Sequence, residues 1–290
     1  MAGQILHSTR PAGSQLAAQP IRSAAMEIGG RRALLTGASG GIGNAIARAL
    51  HARGATVIVS GRRTDALEGL AKELGERVEV VPADLSSPDG VKALLEAAPD
   101  IDILVANAAL PGSGALDDFT TDEIDRTIDV NLRAPMELAR ELVPGMKRRG
   151  SGQLVFISSM SGKIANGGGS VYSATKFGLR GFAAGLRDEL HGSGVGVTVV
   201  FPGFIRDGGM FADTGVELPS YVKTRTPQQV ADAVVRGIER DRGEIDVAPF
   251  TVRATGWLAG IAPGAVAAAG RRLGSAEVAD QLAERQRPKR

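Results

Sequence analysis

Tyr172 and Lys176 stand four residues apart at the end of the run S-S-M-S-G-K-I-A-N-G-G-G-S-V-Y-S-A-T-K, Ser158 to Lys176. The chain continues A-T-K-F-G-L-R-G-F-A-A-G-L-R-D-E-L, a helical pattern. Four residues is just over one helical turn, so phenol and ammonium project from one face as neighbours. A cation beside a phenol favours its ionised form and pulls the tyrosine pKa down from about 10, which makes Tyr172 a proton donor or acceptor near neutral pH. Ser159 lies upstream, beyond a turn of three glycines (Gly167, Gly168, Gly169) that can fold its hydroxyl back toward the phenol. A Tyr–Lys pair alone is most often a solvated surface pair; the weight comes from what must position it.

The elements that position it form an alternating series. Apolar, often β-branched runs occur at Ala33–Thr36, Thr56–Ser60, Val78–Val81, Ile103–Ala106, Leu154–Ser158, Val195–Phe201 and Ile245–Val247. Helix-period stretches lie between them: Ile42–Arg53, Thr64–Leu74, Pro88–Ala97, Thr121–Arg149, Ser173–Leu190 and Pro227–Arg240. Strands buried on both faces and alternating with helices predict an α/β fold, a doubly wound parallel sheet of about seven strands with helices on both faces. The reading places a disordered leader at 1–27, one catalytic domain at 28–250, and an apolar helical extension with a basic tail at 251–290.

The first strand runs directly into T-G-A-S-G-G-I-G, Thr36 to Gly43, and a helix begins there. Gly37, Gly41 and Gly43 allow a tight turn and close backbone approach, and the helix start offers free N–H groups and a positive dipole end to phosphate. No G-K-[ST] follows, which argues against a P-loop and for a dinucleotide. The second strand ends T-V-I-V-S-G-R-R. An acid at this point would grip the ribose 2′-OH; Arg62 and Arg63 instead suit a 2′-phosphate through charge-assisted bonds. The cofactor expected is NADP(H).

Composition removes other classes. In 290 residues the formal net charge is +2, cysteine is absent and hydrophobic residues make up 43%. No basic stripe interleaved with aromatics suggests nucleic acid. The absence of cysteine excludes disulfides and thiolate sites and fits a reducing, cytoplasmic location. His7, His51 and His191 are too scattered for a metal site. No segment has the roughly 18 apolar residues of a membrane span. The charge-free Ala254–Gly270 is broken by Gly256, Gly260, Pro263 and Gly264; it reads as a packed helix-turn element and leaves contact with a membrane surface as the alternative.

The glycine turn, Asp84–Leu85, Asn107–Ala109, Asn131 in V-N-L, and Ser159 with Y-S-A-T-K fall in order and together resemble the short-chain dehydrogenase/reductase family, from about Arg31 to Ala248. The resemblance implies that Gly37, Ser39, Gly41, Ile42, Gly43, Arg62, Arg63, Asp84, Leu85, Asn107, Tyr172, Lys176, Pro202, Gly203 and Ile205 bind the cofactor. It implies that Asp84 contacts adenine and that Asn131 bends its helix and holds a water of a proton relay. Ser159 would bond the substrate oxygen, Tyr172 would exchange a proton with it, and Lys176 would hold the nicotinamide ribose and depress the Tyr172 pKa. One motif departs: P-G-F-I-R-D has Asp207 where the family often has threonine, so Arg206 would serve there or Asp207 would face solvent.

Phe204, Met210, Phe211, Leu218 and Tyr221 lie in the stretch after the sixth strand, where an apolar substrate would bind under a glycine-hinged lid. The function expected is hydride transfer between the nicotinamide and a small-molecule carbonyl or secondary alcohol. The alternatives are a 3-oxoacyl-thioester reductase using Arg133, Lys147, Arg148 and Arg149 to meet its carrier, and a catalytically silent NADPH sensor. The resemblance implies a homodimer or homotetramer.

Overall fold

The computed structural model describes residues 24–216, 223–272 and 275–287. Seven strands form one sheet: β1 Arg32–Thr36, β2 Thr56–Ser60, β3 Val78–Val80, β4 Ile103–Ala106, β5 Gly152–Ile157, β6 Val195–Pro202 and β7 Glu244–Val247. All pairings are parallel, in the order β3-β2-β1-β4-β5-β6-β7. The order reverses between β1 and β4, which opens a crevice at their carboxyl ends. Leu34, Leu104, Leu154 and their neighbours on both faces are fully buried, as the unbroken apolar runs required.

Ten helices occur among the described residues: α1 Gly41–Ala52, α2 Thr64–Leu74, α3 Pro88–Ala97, α4 Thr121–Ile128, α5 Ala134–Arg149, α6 Ser170–Glu189, α7 Pro227–Arg240, α8 Phe250–Ala259, α9 Pro263–Arg272 and α10 Ser275–Gln286. One face buries Ile46 and Leu50 of α1, Leu67 of α2 and Val230 and Val234 of α7. The other buries Val91 of α3, Leu138 and Met146 of α5 and Leu179 of α6. Helix starts carry their own signals. Ser87 caps α3 ahead of Pro88, and Thr120/Glu123 and Thr226/Gln229 form capping boxes on α4 and α7; each cap satisfies otherwise unpaired N–H groups and contributes about 1 kcal/mol.

Two boundaries differ from the sequence reading. The single helix expected over Thr121–Arg149 is interrupted by a π turn at Asp129–Arg133. The leader expected through residue 27 gives way earlier to packed chain: Met26 and Ile28 are buried in the core, and the Met26 N–H donates to the Ile238 carbonyl at 3.1 Å. Residues 1–23 lie outside the described residues.

Candidate active site

Ser159 stands just beyond β5 with extended backbone, opening a 3-10 turn over Met160–Gly162. That turn is pressed onto α6: a Cβ on Gly162 would lie 2.7 Å from the Lys176 carbonyl, and Ser158 Oγ donates to the same carbonyl at 3.1 Å. Tyr172 sits in the first turn of α6 and its hydroxyl hydrogen-bonds the Ser159 side chain. Ser159 Oγ accepts from Ser161 N–H at 3.1 Å, so its one hydrogen is turned toward the Tyr172 oxygen, where a substrate oxygen would compete for it. Lys176, only 2% exposed, donates from Nζ to the Ile157 carbonyl at 3.0 Å and lies 5.6 Å from the centre of the Tyr172 ring.

The electrostatics correct one expectation. Burial is the largest influence on both groups. It pushes the Tyr172 phenol up to about 12, against the opposing hydrogen bond from Ser159, and the Lys176 ammonium down to about 8. The net shift of the phenol is therefore upward, because desolvation disfavours its charged form more than the Ser159 hydrogen bond favours it. Between about 8 and the ordinary 10.5, the unfolded chain holds a proton on Lys176 that the native state has lost, so stability rises with pH across that window. Above about 10 Tyr172 acts oppositely, since only the unfolded phenol ionises there. Urea unfolding is expected to show a gain on the order of 2 kcal/mol from about pH 8 to about pH 10. The Lys176→Met variant should lack it; the same slope in both proteins would remove Lys176 as its cause.

Asn131, fully buried in the π turn, bridges rather than touches the cavity. Its Oδ1 accepts from Leu110 N–H at 2.7 Å and its Nδ2 donates to the Leu110 carbonyl at 2.9 Å. Both ends of the amide thus fix the loop after β4. Asn131 lies in the π turn, where the ladder of helical bonds is locally shifted.

The nucleotide side assembles at the sheet's switch point. Gly37 has φ +67°, and a Cβ on Gly43 would fall 2.2 Å from the Gly37 carbonyl oxygen. Asn107 Nδ2 donates to the Thr36 and Gly37 carbonyls at 3.1 and 3.0 Å, pinning the turn from β4. Helix α1 starts with no side-chain cap and no acid in its first turn, so its leading N–H groups fit a diphosphate. Arg63 donates to the Ser39 carbonyl at the turn. Asp84 accepts from Ser86 N–H at 3.0 Å; burial opposes its charge, but the Ser86 bonds and the fields of Arg62 and Arg126 outweigh it and hold its pKa below the usual value. Leu85 is buried in the core on the α3 side. The residues fit a dinucleotide along this edge.

A cavity of about 260 Å³ joins the two halves. Ser159, Tyr172, Lys176, Asn107, Ile42, Pro202, Gly203 and Ile205 all border it, together with Phe204, Met210 and Phe211 from the loop after β6. The rings of Phe204 and Phe211 pack 4.9 Å apart. Leu218 and Tyr221 lie outside the described residues. Asp207 does not border the cavity: its backbone is left-handed (φ +65°), and its carboxylate meets Arg206 at 3.2 Å on the surface.

Several contributors had no sequence signal. Met160 and Ile164 line the cavity from the turn behind Ser159, and Val252 of α8 with Leu282 and Gln286 of α10 reach it from the chain's far end. Lys163 anchors the serine turn to β7, with Nζ 2.7 Å from Asp246, 2.8 Å from Glu244 and 4.0 Å from the Phe201 ring centre. Only the four-residue spacing of Leu282 and Gln286 was readable, and it marks any helix face. The basic cluster was legible but misplaced. Lys147, Arg148 and Arg149 end α5 where the chain turns into the start of β5, opposite the site, and Arg133 is paired with Asp129 and Glu137. No group that could hold a metal ion occurs among the described residues, nor any helix long and apolar enough to cross a membrane.

Comparison with known proteins agrees with this geometry. The family model described as short chain dehydrogenase matches residues 31–217. A relative named ketoacyl reductase HetN, from Nostoc sp., is 39% identical over 225 residues, covering 75% of this chain and 78% of its own length. Among solved structures, a short-chain dehydrogenase from Sphingobium yanoikuyae in complex with NADPH is 30% identical with a TM-score of 0.71, covering 81% of this chain and 94% of that one. A serine dehydrogenase complexed with NADP+ is also 30% identical, with a TM-score of 0.69 over 76% of this chain and 95% of that one. The chain is an oxidoreductase belonging to the short-chain dehydrogenase/reductase family.

Proposed function

We propose that the chain is an NADP(H)-dependent oxidoreductase interconverting an apolar ketone or aldehyde and its alcohol. The observation that carries this is the Ser159–Tyr172–Lys176 cluster, open on a mostly apolar cavity beside the uncapped start of α1. The cofactor, when bound, supplies the hydride. In the reductive direction the Ser159 hydroxyl donates to the substrate oxygen and stabilises the charge that grows there. Tyr172, held neutral by burial, gives that oxygen its proton. Lys176 would hold a ribose hydroxyl of the cofactor, and with its pKa lowered only to about 8 it keeps its charge near neutral pH. Met160, Ile164, Val252 and Leu282 exclude water and select an apolar substituent.

Arg62 and Arg63 support the choice of NADP(H), since they follow β2 directly after Gly61, where an acid would otherwise meet a ribose 2′-OH. The Arg62→Asp variant is expected to weaken NADPH binding about thirtyfold, the size of one charge-assisted bond lost, while NADH binding holds or improves. Titration of both cofactors by fluorescence tests this; unchanged affinity for both would refute the assignment.

The similarity to a ketoacyl reductase supports a second reading, reduction of a 3-oxoacyl thioester. Turnover of acetoacetyl thioesters against a panel of simple ketones, each followed by NADPH oxidation, distinguishes the two. Ile128, Met136 and Phe177, exposed on α4, α5 and α6, support pairing with a second copy through that helical face.

A further inference from the structure

The outward face of α8 takes no part in the site. Its inward face does: Val252 lines the cavity, and a Cβ on Gly256 would lie 2.8 Å from the Met160 methyl. On the other side Phe250, Trp257 and Leu258 are 79%, 75% and 47% exposed, and Ile261, in the turn that follows, is 68% exposed. With Ala254 between them, these positions fall on one stripe at helical spacing. Four large apolar side chains concentrated this way mark a contact surface rather than the scattered singles of an ordinary exterior.

Charge decides what the contact is. From Val247 to Ala276 the chain has no Asp or Glu, whereas Arg253, Arg271 and Arg272 are all exposed. Arg253 approaches Asp246 only to 3.9 Å. A two-fold contact between copies would set this acid-free stretch against itself, with its arginines opposed and the neighbouring Asp246 already held by Lys163 at 2.7 Å. A bilayer with anionic headgroups supplies both partners, apolar chains for the stripe and phosphates for the arginines, and tryptophan favours that boundary. Helices α8 and α9 have 10 residues each and are separated by Gly260, Ile261 and Ala262, with Pro263 opening α9. At about 15 Å apiece they are too short to span and suited to lying in the interface.

We propose that α8 is a peripheral docking surface for an anionic lipid bilayer, with Phe250, Trp257, Leu258 and Ile261 entering the headgroup–acyl boundary. Trp257 is the chain's one tryptophan, so its emission reports directly on this face. Vesicles of phosphatidylcholine with about one third phosphatidylglycerol should shift that emission to the blue and sediment the protein. Phosphatidylcholine alone should bind about tenfold more weakly, and high salt should release the protein. A variant carrying Phe250→Ser, Leu258→Ser and Ile261→Ser keeps the reporter. It should partition on the order of a hundredfold less, with its melting temperature and circular dichroism unchanged. Emission indifferent to vesicles, or equal partitioning of variant and parent, would overturn the proposal. So would a lipid-free blue shift that grows with protein concentration, accompanies a doubled mass and disappears in the variant, since the occupant is then a second copy.

Discussion

The Tyr172→Phe variant is expected to lose about a thousandfold in kcat for carbonyl reduction while binding NADPH within about twofold of the parent. The substitution removes one oxygen and leaves the ring, so the wall of the cavity keeps its shape. What disappears is the proton source facing the substrate oxygen and the hydrogen bond to Ser159. General acid catalysis of this kind contributes roughly 10²–10⁴-fold, and among the described residues no carboxylic acid or second phenol borders the cavity, while Lys176 is turned to the Ile157 carbonyl. The stability cost should be only about 1 kcal/mol, that of one net hydrogen bond, so thermal unfolding separates a chemical defect from a folding one. Near-parental kcat with a panel of ketones would show that the proton comes from elsewhere and would dismantle the proposed mechanism.

Gly43→Ala should damage both the fold and the nucleotide-binding turn. The added carbon would stand 2.2 Å from the Gly37 carbonyl oxygen and 2.7 Å from the Ala38 Cα. Both obstacles are backbone, and neither can rotate away. Either the turn or the start of α1 must shift, which costs about 3 kcal/mol or more and lowers the melting temperature by roughly 10 °C for a domain of this size. The same shift redirects the leading N–H groups of α1, so NADPH affinity should fall by about a hundredfold or more. Gly69→Ala provides the control, because no atom lies within 4 Å of its added carbon. If Gly43→Ala melts and binds like the parent, the turn is looser than the structure shows.

The fold was legible because its determinants are local and periodic. Seven apolar runs alternating with helical stripes admit few arrangements other than a parallel sheet covered on both faces, and glycines at 37, 41 and 43 can be read as a turn because only that residue tolerates those approaches. The spacing of Tyr172 and Lys176 likewise put both on one helix face before any coordinates. Residue types and short separations decided these matters.

Other properties belong to the assembled molecule alone. The direction of the Tyr172 pKa shift could not be read from its neighbour, because desolvation depends on everything packed around the phenol, and here it outweighs the Ser159 hydrogen bond. Lys147, Arg148 and Arg149 looked like one basic patch with Arg133 until the path of α5 separated its two ends. Leu282 and Gln286 reach a cavity whose serine stands more than a hundred positions earlier in the chain. Long-range closure of this kind leaves no periodicity and no motif, since a side chain becomes part of a site through the topology that carries it there.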